Sequence, residues 1–179
     1  MTDGARLIGD VERARAALLG SVERLTDVQA GFKPGEGEWS VVEVVEHLYL
    51  AELSGVGKIW AALDAFRAGN AWTEPLPNRG KSIEAIVAAT WKAREVAPPI
   101  ATPHIGGPLE FWLSATRSLR HILADLGVQL GDTRLGEVVF PHFLCGPLDA
   151  GQRLEFLRFH IERHARQIAR IRAGEGFPR

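Results

Sequence analysis

Four long segments of the chain carry apolar residues at every third or fourth position, and this spacing constrains the fold more than any other feature. Each such pattern places one apolar stripe along an amphipathic helix. The predicted helices cover residues 5–28, 41–66, 109–126 and 152–173. Segments rich in glycine and proline separate them, and no segment of any length alternates between apolar and polar residues as a strand does. The sequence therefore predicts an all-α protein built as a four-helix bundle.

The second predicted helix has the clearest start signal. Ser40 followed by Glu43 is typical of a capping box, in which the serine oxygen accepts a backbone N–H and the glutamate reaches back to the serine N–H. Trp39 before the cap and Val44 inside the helix form the apolar pair of a hydrophobic staple. These signals predict that the helix begins at Val41.

The connection between the second and third predicted helices is long. Residues 70–108 contain six prolines and one short helical pattern, at residues 82–96. We therefore expect a long crossover that carries a short extra helix. Such a crossover allows the second and third helices to run parallel, because the chain can return to the starting end. At 179 residues, the chain is expected to form a single domain over residues 1–179.

Charge and cysteine content argue against several classes of protein. The chain carries 21 Lys and Arg residues against 22 Asp and Glu residues, so it lacks the surplus of positive charge on which non-specific nucleic-acid binding depends. Its single cysteine, Cys145, excludes an internal disulfide framework. No run approaches the roughly 18 to 20 apolar residues of a membrane span. The N-terminal region lacks the apolar stretch of a signal peptide. We expect a cytoplasmic protein with neither nucleic-acid nor membrane partners.

Two of the six histidines, His160 and His164, lie four residues apart on the fourth predicted helix. This spacing puts both imidazoles on the inward helix face, one turn apart. Such a pair can bind one metal ion, and two core histidines with separate hydrogen bonds are the alternative. His47 lies beside the apolar stripe of the second helix. If the second and fourth helices are neighbours, three imidazoles converge and leave coordination positions open for water and substrate.

Two motifs carry a family resemblance. The first is the segment WSVVEVVEHL at residues 39–48, and the second is a proline-glycine turn at residues 141–148. This turn is followed by the H-x-x-x-H helix at residues 156–168, with Gln167 three residues after the second histidine. Together these motifs resemble the DinB/YfiT-like superfamily of metal-binding four-helix bundles, and the resemblance covers the whole chain in helix order and loop lengths. The resemblance implies that the metal ligands are His47, His160 and His164.

Two further residues are candidates for a catalytic role. His142 lies in the loop before the fourth helix, where it could reach the metal pocket as a proton donor, and a structural loop histidine is the alternative. The family's turn more often has a histidine directly before the proline, whereas His142 follows Pro141. Glu43 shares the helix face of His47, but the capping box already gives it a structural role.

The remaining polar residues are expected to have other roles. His121 is expected in solvent, as is His104, for which a place at the mouth of the site is the alternative. Glu52 lies within the apolar stripe of the second helix, on a different side of the helix from His47, so the two cannot bind the same ion. We expect Glu52 to pair with an arginine of another helix. Gln167 either hydrogen-bonds a ligand histidine or packs between helices, and Cys145 is expected to be buried and inert. The seven arginines of residues 153–179 are expected to lie on a solvated face.

A three-histidine site suits zinc, nickel, manganese or iron, and the residues alone do not choose among these divalent metals. A metal in such a site lowers the pKa of bound water or of a bound thiol. The resemblance implies both reactions, because the family includes metal-dependent hydrolases and transferases of low-molecular-weight thiols. We therefore expect a metal-dependent enzyme that acts on a small molecule by hydrolysis or by thiol transfer.

Two alternatives need no turnover. One is a metal-binding or stress-response module in which the metal is structural. The other is an interaction module that uses the fourth helix as its docking surface and needs no metal. The family resemblance also leads us to expect a homodimer.

Overall fold

The computed structural model describes residues 2–92 and 96–179. The described residues form six α-helices and one two-stranded antiparallel hairpin. The elements in chain order are α1 (Asp3–Val22), α2 (Asp27–Gly31), α3 (Val41–Arg67), α4 (Ile83–Thr90), α5 (Leu109–Leu130), β1 (Val139–His142), β2 (Gly146–Asp149) and α6 (Ala150–Ala173). Short 3₁₀ turns lie at Pro99–Ala101 and Leu135–Glu137. The prediction of an all-α fold is confirmed, with the small hairpin added to it.

The four long helices, α1, α3, α5 and α6, form the bundle. Helices α1 and α3 each pack against both α5 and α6, so α1 and α3 occupy opposite corners of the bundle. The core between them includes the fully buried side chains Leu18, Val44, Trp112, Leu123 and Leu154. Helices α3 and α6, which carry the three candidate ligands, are therefore neighbours. No helix of the described part of the chain is long and apolar enough to cross a membrane.

The predicted first helix, residues 5–28, is two helices in the structure. Helix α1 ends at Val22, and Thr26 begins α2 with a capping box of its own, completed by Gln29.

The third predicted helix continues beyond Leu126 to Leu130. Gly127 does not stop it, and a Cβ at this position would lie 3.0 Å from the side chain of Ile8. This glycine therefore serves the packing of α5 against α1. The capping box of Ser40 and Glu43 is present as predicted.

The crossover carries the expected short helix, α4. The helix ends at Thr90, so the predicted range to residue 96 is wrong at residues 91, 92 and 96, and residues 93–95 lie outside the described residues. Helix α4 and the hairpin share a second, smaller core of Ile83, Ile86, Val87, Cys145 and Leu148. An ion pair of 2.5 Å between Glu84 of α4 and Arg158 joins this layer to α6. The crossover and the hairpin therefore cover one face of α6.

Glu46 anchors the last part of the crossover to α3. Its side chain is 1% exposed, and its carboxylate accepts the backbone N–H groups of His104 and Ile105 at 2.7 Å each and of Gly106 at 3.2 Å. A buried carboxylate with three N–H donors is well compensated for its lost hydration. This contact holds the crossover beside the N-terminal half of α3.

The hairpin was missed because its strands are short and carry two prolines. Each strand has four residues, and Phe140 pairs with Leu148 and Pro141 with Pro147. Gly146 has a φ of 72°, a conformation that glycine adopts without steric cost. Strand β2 ends at Asp149, whose side chain caps α6. The hairpin therefore leads directly into the helix of the paired histidines.

The predicted ion pair of Glu52 is present, with Arg15 of α1 as its partner. Both side chains are 3% exposed. The guanidinium Nε donates to Oε2 of Glu52 at 3.3 Å, and Nη2 donates to Oε1. Arg15 also pairs with Glu12, at 2.7 Å. The pair spans the core between opposite corners of the bundle.

We predict that Glu52→Ala lowers the free energy of unfolding by about 3–5 kcal/mol, because Arg15 keeps a buried charge with only Glu12 as partner. The double variant Arg15→Met/Glu52→Leu is expected to lose much less, since apolar side chains remove both buried charges. Urea unfolding of both variants measures the difference. Glu23→Ala, which removes an exposed partner of Arg117, is the control and is expected to change stability by less than about 0.5 kcal/mol. Equal losses in the single and double variants would contradict the prediction.

Candidate metal centre

Three histidines meet between α3 and α6. The Nε2 atom of His160 lies 3.3 Å from Nε2 of His47 and 3.1 Å from Nε2 of His164. All three candidate ligand atoms lie within 4.8 Å of one another, and all three residues are buried. Metal–nitrogen bonds of about 2.0–2.1 Å in a tetrahedral site separate the ligand nitrogens by roughly 3.3 Å. The two separations that involve His160 match this value, and all three atoms lie close enough together to be candidate ligands of one transition-metal ion.

The fold brings these rings together through one close helix contact. His160 and His164 share the inward face of α6, and His47 comes from α3, one of the neighbours of α6. Farther along α3, a Cβ added to Gly55 would lie 3.0 Å from the side chain of Leu157. The missing side chain lets the two helices approach, so that the ring centroids of His47 and His164 lie 4.7 Å apart.

Hydrogen bonds at the outer edges of two rings fix which nitrogen carries the proton. Nδ1 of His47 lies 2.7 Å from the carbonyl oxygen of Ala101, which can only accept, so Nδ1–H donates and Nε2 keeps its lone pair. Nδ1 of His164 contacts Oε1 of Gln167 at 2.7 Å in the same manner. Partners of this kind orient metal-binding histidines. Of the two alternatives for Gln167, the structure shows the hydrogen bond to His164. The partner of His47 had no sequence signal, because it is the backbone carbonyl of a residue 54 positions away.

The electrostatic surroundings keep the three imidazoles neutral at neutral pH. Burial lowers the pKa of His47, against the effect of the Ala101 carbonyl. Burial, followed by the neighbouring His164 and His47, lowers the pKa of His160 well below its usual value. Burial and His47 lower the pKa of His164 to about 3. Neutral imidazole is the form that binds a metal, so the donor set suits a divalent transition metal.

A cavity of about 220 Å³ opens onto the three histidines. Its walls are largely aromatic and aliphatic and include Trp39, Trp91, Ile100, Phe143, Phe156 and Leu157. Phe156 stacks on His160 with 14° between the ring planes and a centroid distance of 5.7 Å. These walls come from α3, the crossover, the hairpin and α6. Small-molecule sites are typically concave and apolar in this way, with a few polar groups that orient the ligand.

The first catalytic candidate, His142, lies on the cavity wall at the end of β1. Its Nδ1 accepts the backbone N–H groups of Leu144 at 3.2 Å and Cys145 at 3.1 Å, so the ring proton is on Nε2. Burial, followed by Arg153 and Lys58, lowers its pKa to about 3. His142 therefore closes the hairpin turn and is a neutral ring at the cavity wall.

The second catalytic candidate, Glu43, lies in the capping box of α3 and pairs with Lys33 at 2.7 Å. It does not line the described cavity. The structure thus gives Glu43 the structural role that the capping motif predicts.

The other single residues lie apart from the three histidines. His104 and His121 are exposed, as expected, and the ring of His104 contacts the carbonyl oxygen of Thr102. Cys145 is buried, 3.6 Å from the hydroxyl of Thr90. Arg153 departs from the expected solvated face, because it is 5% exposed and lines the cavity. Its position seven residues before His160, on the same helix face, is the signal that could have identified it.

Comparisons with known proteins agree with this architecture. The chain matches the family described as the DinB superfamily over residues 10–168. Comparison with curated proteins gives no significant match. Among solved structures, the chain is similar to YfiT from Bacillus subtilis, with a TM-score of 0.63 and 19% sequence identity over 98% of this chain and 89% of that one. YfiT is described as a probable metal-dependent hydrolase with an unusual four-helix bundle topology. At this identity, the similarity establishes the fold.

We predict that the purified protein retains about one equivalent of a divalent transition metal, because three neutral imidazoles converge on one point. Elemental analysis measures the metal content. His160→Gln and His164→Gln are expected to lose the metal, and His121→Gln, at an exposed histidine, is the matched control. Stoichiometric metal in the His160 and His164 variants would show that the assignment is wrong.

We also predict that Gln167→Leu weakens metal binding by about 10- to 100-fold, because His164 loses the partner that fixes its Nδ1 proton. Competition with a chromogenic chelator measures this affinity. Gln129→Leu is the control, since Gln129 pairs with Arg67 away from the site. An unchanged affinity in Gln167→Leu would mean that the contact with Gln167 does not orient the ligand.

Proposed function

The chain belongs to the DinB superfamily, and from this membership and the three-histidine centre we propose that it is a single-domain, metal-dependent hydrolase of small molecules. In this proposal His47, His160 and His164 hold a divalent transition metal. The observation that carries it is the combination of three buried imidazoles with a cavity of about 220 Å³ in front of them. The description of YfiT as a probable metal-dependent hydrolase supports the same reaction class.

The open cavity favours a catalytic site over a structural one. Structural zinc sites are closed by four protein ligands, whereas catalytic sites use three protein ligands and keep a position for water or substrate. Here three histidines converge and the cavity lies against them. A metal that only stabilised the fold would require no cavity beside it.

A divalent ion bound to three neutral imidazoles would lower the pKa of a water molecule or a thiol that reaches it and would polarise a substrate carbonyl. The residues of the chain orient and shield this chemistry. Ala101 and Gln167 hold the Nδ1 protons of His47 and His164, so their Nε2 lone pairs stay available. The largely apolar walls lower the polarity of the cavity, which strengthens electrostatic interactions within it.

Thiol transfer is the second candidate, and the composition of the cavity supports it. No carboxylate lines the cavity among residues 2–92 and 96–179, so none of them supplies an acidic side chain as general base. Without such a base, a nucleophile would lose its proton only because the metal lowers its pKa. A metal would have this effect on a bound thiol as well as on bound water. Cys145 belongs to the small core between α4 and the hairpin, so the thiol would be that of a small molecule.

We predict that metal-loaded protein hydrolyses a small activated ester, 4-nitrophenyl acetate, roughly 100-fold faster than the His160→Gln variant. The protein is loaded separately with zinc, nickel, manganese or iron(II), and nitrophenolate release is followed by absorbance. His121→Gln is expected to retain the activity. Chelator is expected to abolish it, and added metal to restore it.

A parallel assay distinguishes the alternatives. Incubation with a small thiol and 4-nitrobenzyl chloride detects thiol transfer by the loss of free thiol. If neither reaction exceeds its background while chelator lowers the thermal midpoint, the metal is structural and the catalytic proposal is wrong.

A further inference from the structure

Arg153 is a cation buried in the wall of the cavity. It lies in the first two turns of α6, is 5% exposed and lines the cavity. Its Nη2 donates to the backbone carbonyl oxygens of Phe140 at 3.3 Å and Pro141 at 2.5 Å. Its Nε atom is buried and has no hydrogen-bond partner within the described part of the chain. No carboxylate of the described ranges 2–92 and 96–179 forms an ion pair with it.

Such an arrangement is costly for the folded protein alone. A buried charge needs an opposite charge and a full set of hydrogen bonds to offset its lost hydration. The two carbonyl oxygens, and the ring of Phe140 whose centroid lies 5.5 Å from the guanidinium carbon, offset only part of this loss. Burial lowers the pKa of Arg153 to about 10, so the guanidinium remains charged at neutral pH. An anion bound in the cavity would supply the missing partner.

The other charged side chains on the cavity wall, among the residues that the structure describes, have the same sign. Lys58 of α3 and Arg163 of α6 also line the cavity, and Arg163 lies over the ring of Trp91 at 5.1 Å from its centroid. Lys58 and Arg153 lie close enough to His142 to contribute, after burial, to its lowered pKa. Arg153 also binds the carbonyl oxygen of Pro141, the residue before His142. Arg153 and Lys58, beside the neutral ring of His142, therefore define one end of the cavity, called here the cationic end.

The cationic end is separated from the three histidines along α6. Arg153 precedes His160 by seven residues, or two helical turns, which corresponds to roughly 10 Å along the helix axis. Phe156 and Leu157 lie between them and contribute apolar wall. The cavity thus has a cationic end, an apolar middle and the histidine centre.

We propose that Arg153 and Lys58 bind the anionic group of an organic acid, whose apolar part lies along Phe156 and Leu157 and whose reactive group reaches the three histidines. The assignment of a reactive group rests on the proposed function, whereas the anion site rests on the charges alone. A carboxylate and a phosphate present the same chemistry to these cations, because both offer negatively charged oxygens to N–H donors.

The test is a titration of the metal-free protein with 4-phenylbutanoate and with its neutral amide. Tryptophan fluorescence reports binding, since Trp39 and Trp91 line the cavity. The carboxylate is expected to bind about 10- to 100-fold more tightly than the amide. The compound 3-phenylpropylphosphonate, titrated in parallel, shows whether the site prefers a phosphate-like group to a carboxylate. Arg153→Met is expected to remove the preference for the anion.

Two further variants keep the test decisive. Arg166→Met removes an exposed arginine of the same helix and is expected to keep the preference. Lys58→Met changes a half-buried residue and is expected to weaken the preference several-fold even if Arg153→Met does not fold. Arg153→Met is expected to unfold at the wild-type temperature or above, because an unpaired buried charge has been removed.

Equal binding of carboxylate and amide by the metal-free wild type would overturn the proposal. A preference for the carboxylate that persists in both Arg153→Met and Lys58→Met would also overturn it. So would a preference that appears only after metal is added, since the anion would then bind the metal. Because the titration needs neither metal nor turnover, its failure is distinct from failure of the proposed hydrolase activity.

Discussion

The contact between α3 and α6 is the constraint on which the candidate centre depends. One ligand comes from α3 and two come from α6, so a change in the separation of these helices would separate His47 from the other two. Gly55 permits the close approach at Leu157. The Arg15–Glu52 pair crosses the core between α1 and α3, and a second buried interaction thereby fixes the position of α3. The centre is thus a property of bundle packing rather than of any one helix.

Local rules explain what the sequence could predict. Helical periodicity gave the four long helices, the Ser40–Glu43 motif gave the start of α3, and the four-residue spacing gave the shared face of His160 and His164. Glu52 required a partner because an acidic residue in an apolar stripe is costly without one. The break at Val22 was missed because the apolar stripe continues through it, although the second capping box at Thr26 and Gln29 was visible in the sequence.

The contacts that complete the site depend on residues far apart in sequence. The Ala101 carbonyl that orients His47 belongs to an irregular crossover, and any residue type presents the same carbonyl. Glu46 bonds three backbone N–H groups of this crossover, and nothing in a helical pattern indicates such partners. Arg153 was grouped with the surface arginines although it shares the helix face of His160, and only the folded hairpin reveals that Phe140 and Pro141 enclose it. Periodicity assigns a residue to a face, but it does not show what covers that face.

The attachment of the crossover to α3 through Glu46 and His47 has an evolutionary consequence. Both residues bind main-chain atoms of the crossover, namely the N–H groups of residues 104–106 and the carbonyl of Ala101. Substitutions of crossover side chains that preserve the backbone path therefore leave these bonds intact. The side chains of Pro98 and Ile100, which lie on the cavity wall, can change while His47 keeps its orientation. In a bundle of this kind, substitutions in the crossover can change the cavity wall, and with it the ligand preference, while the three histidines keep their arrangement.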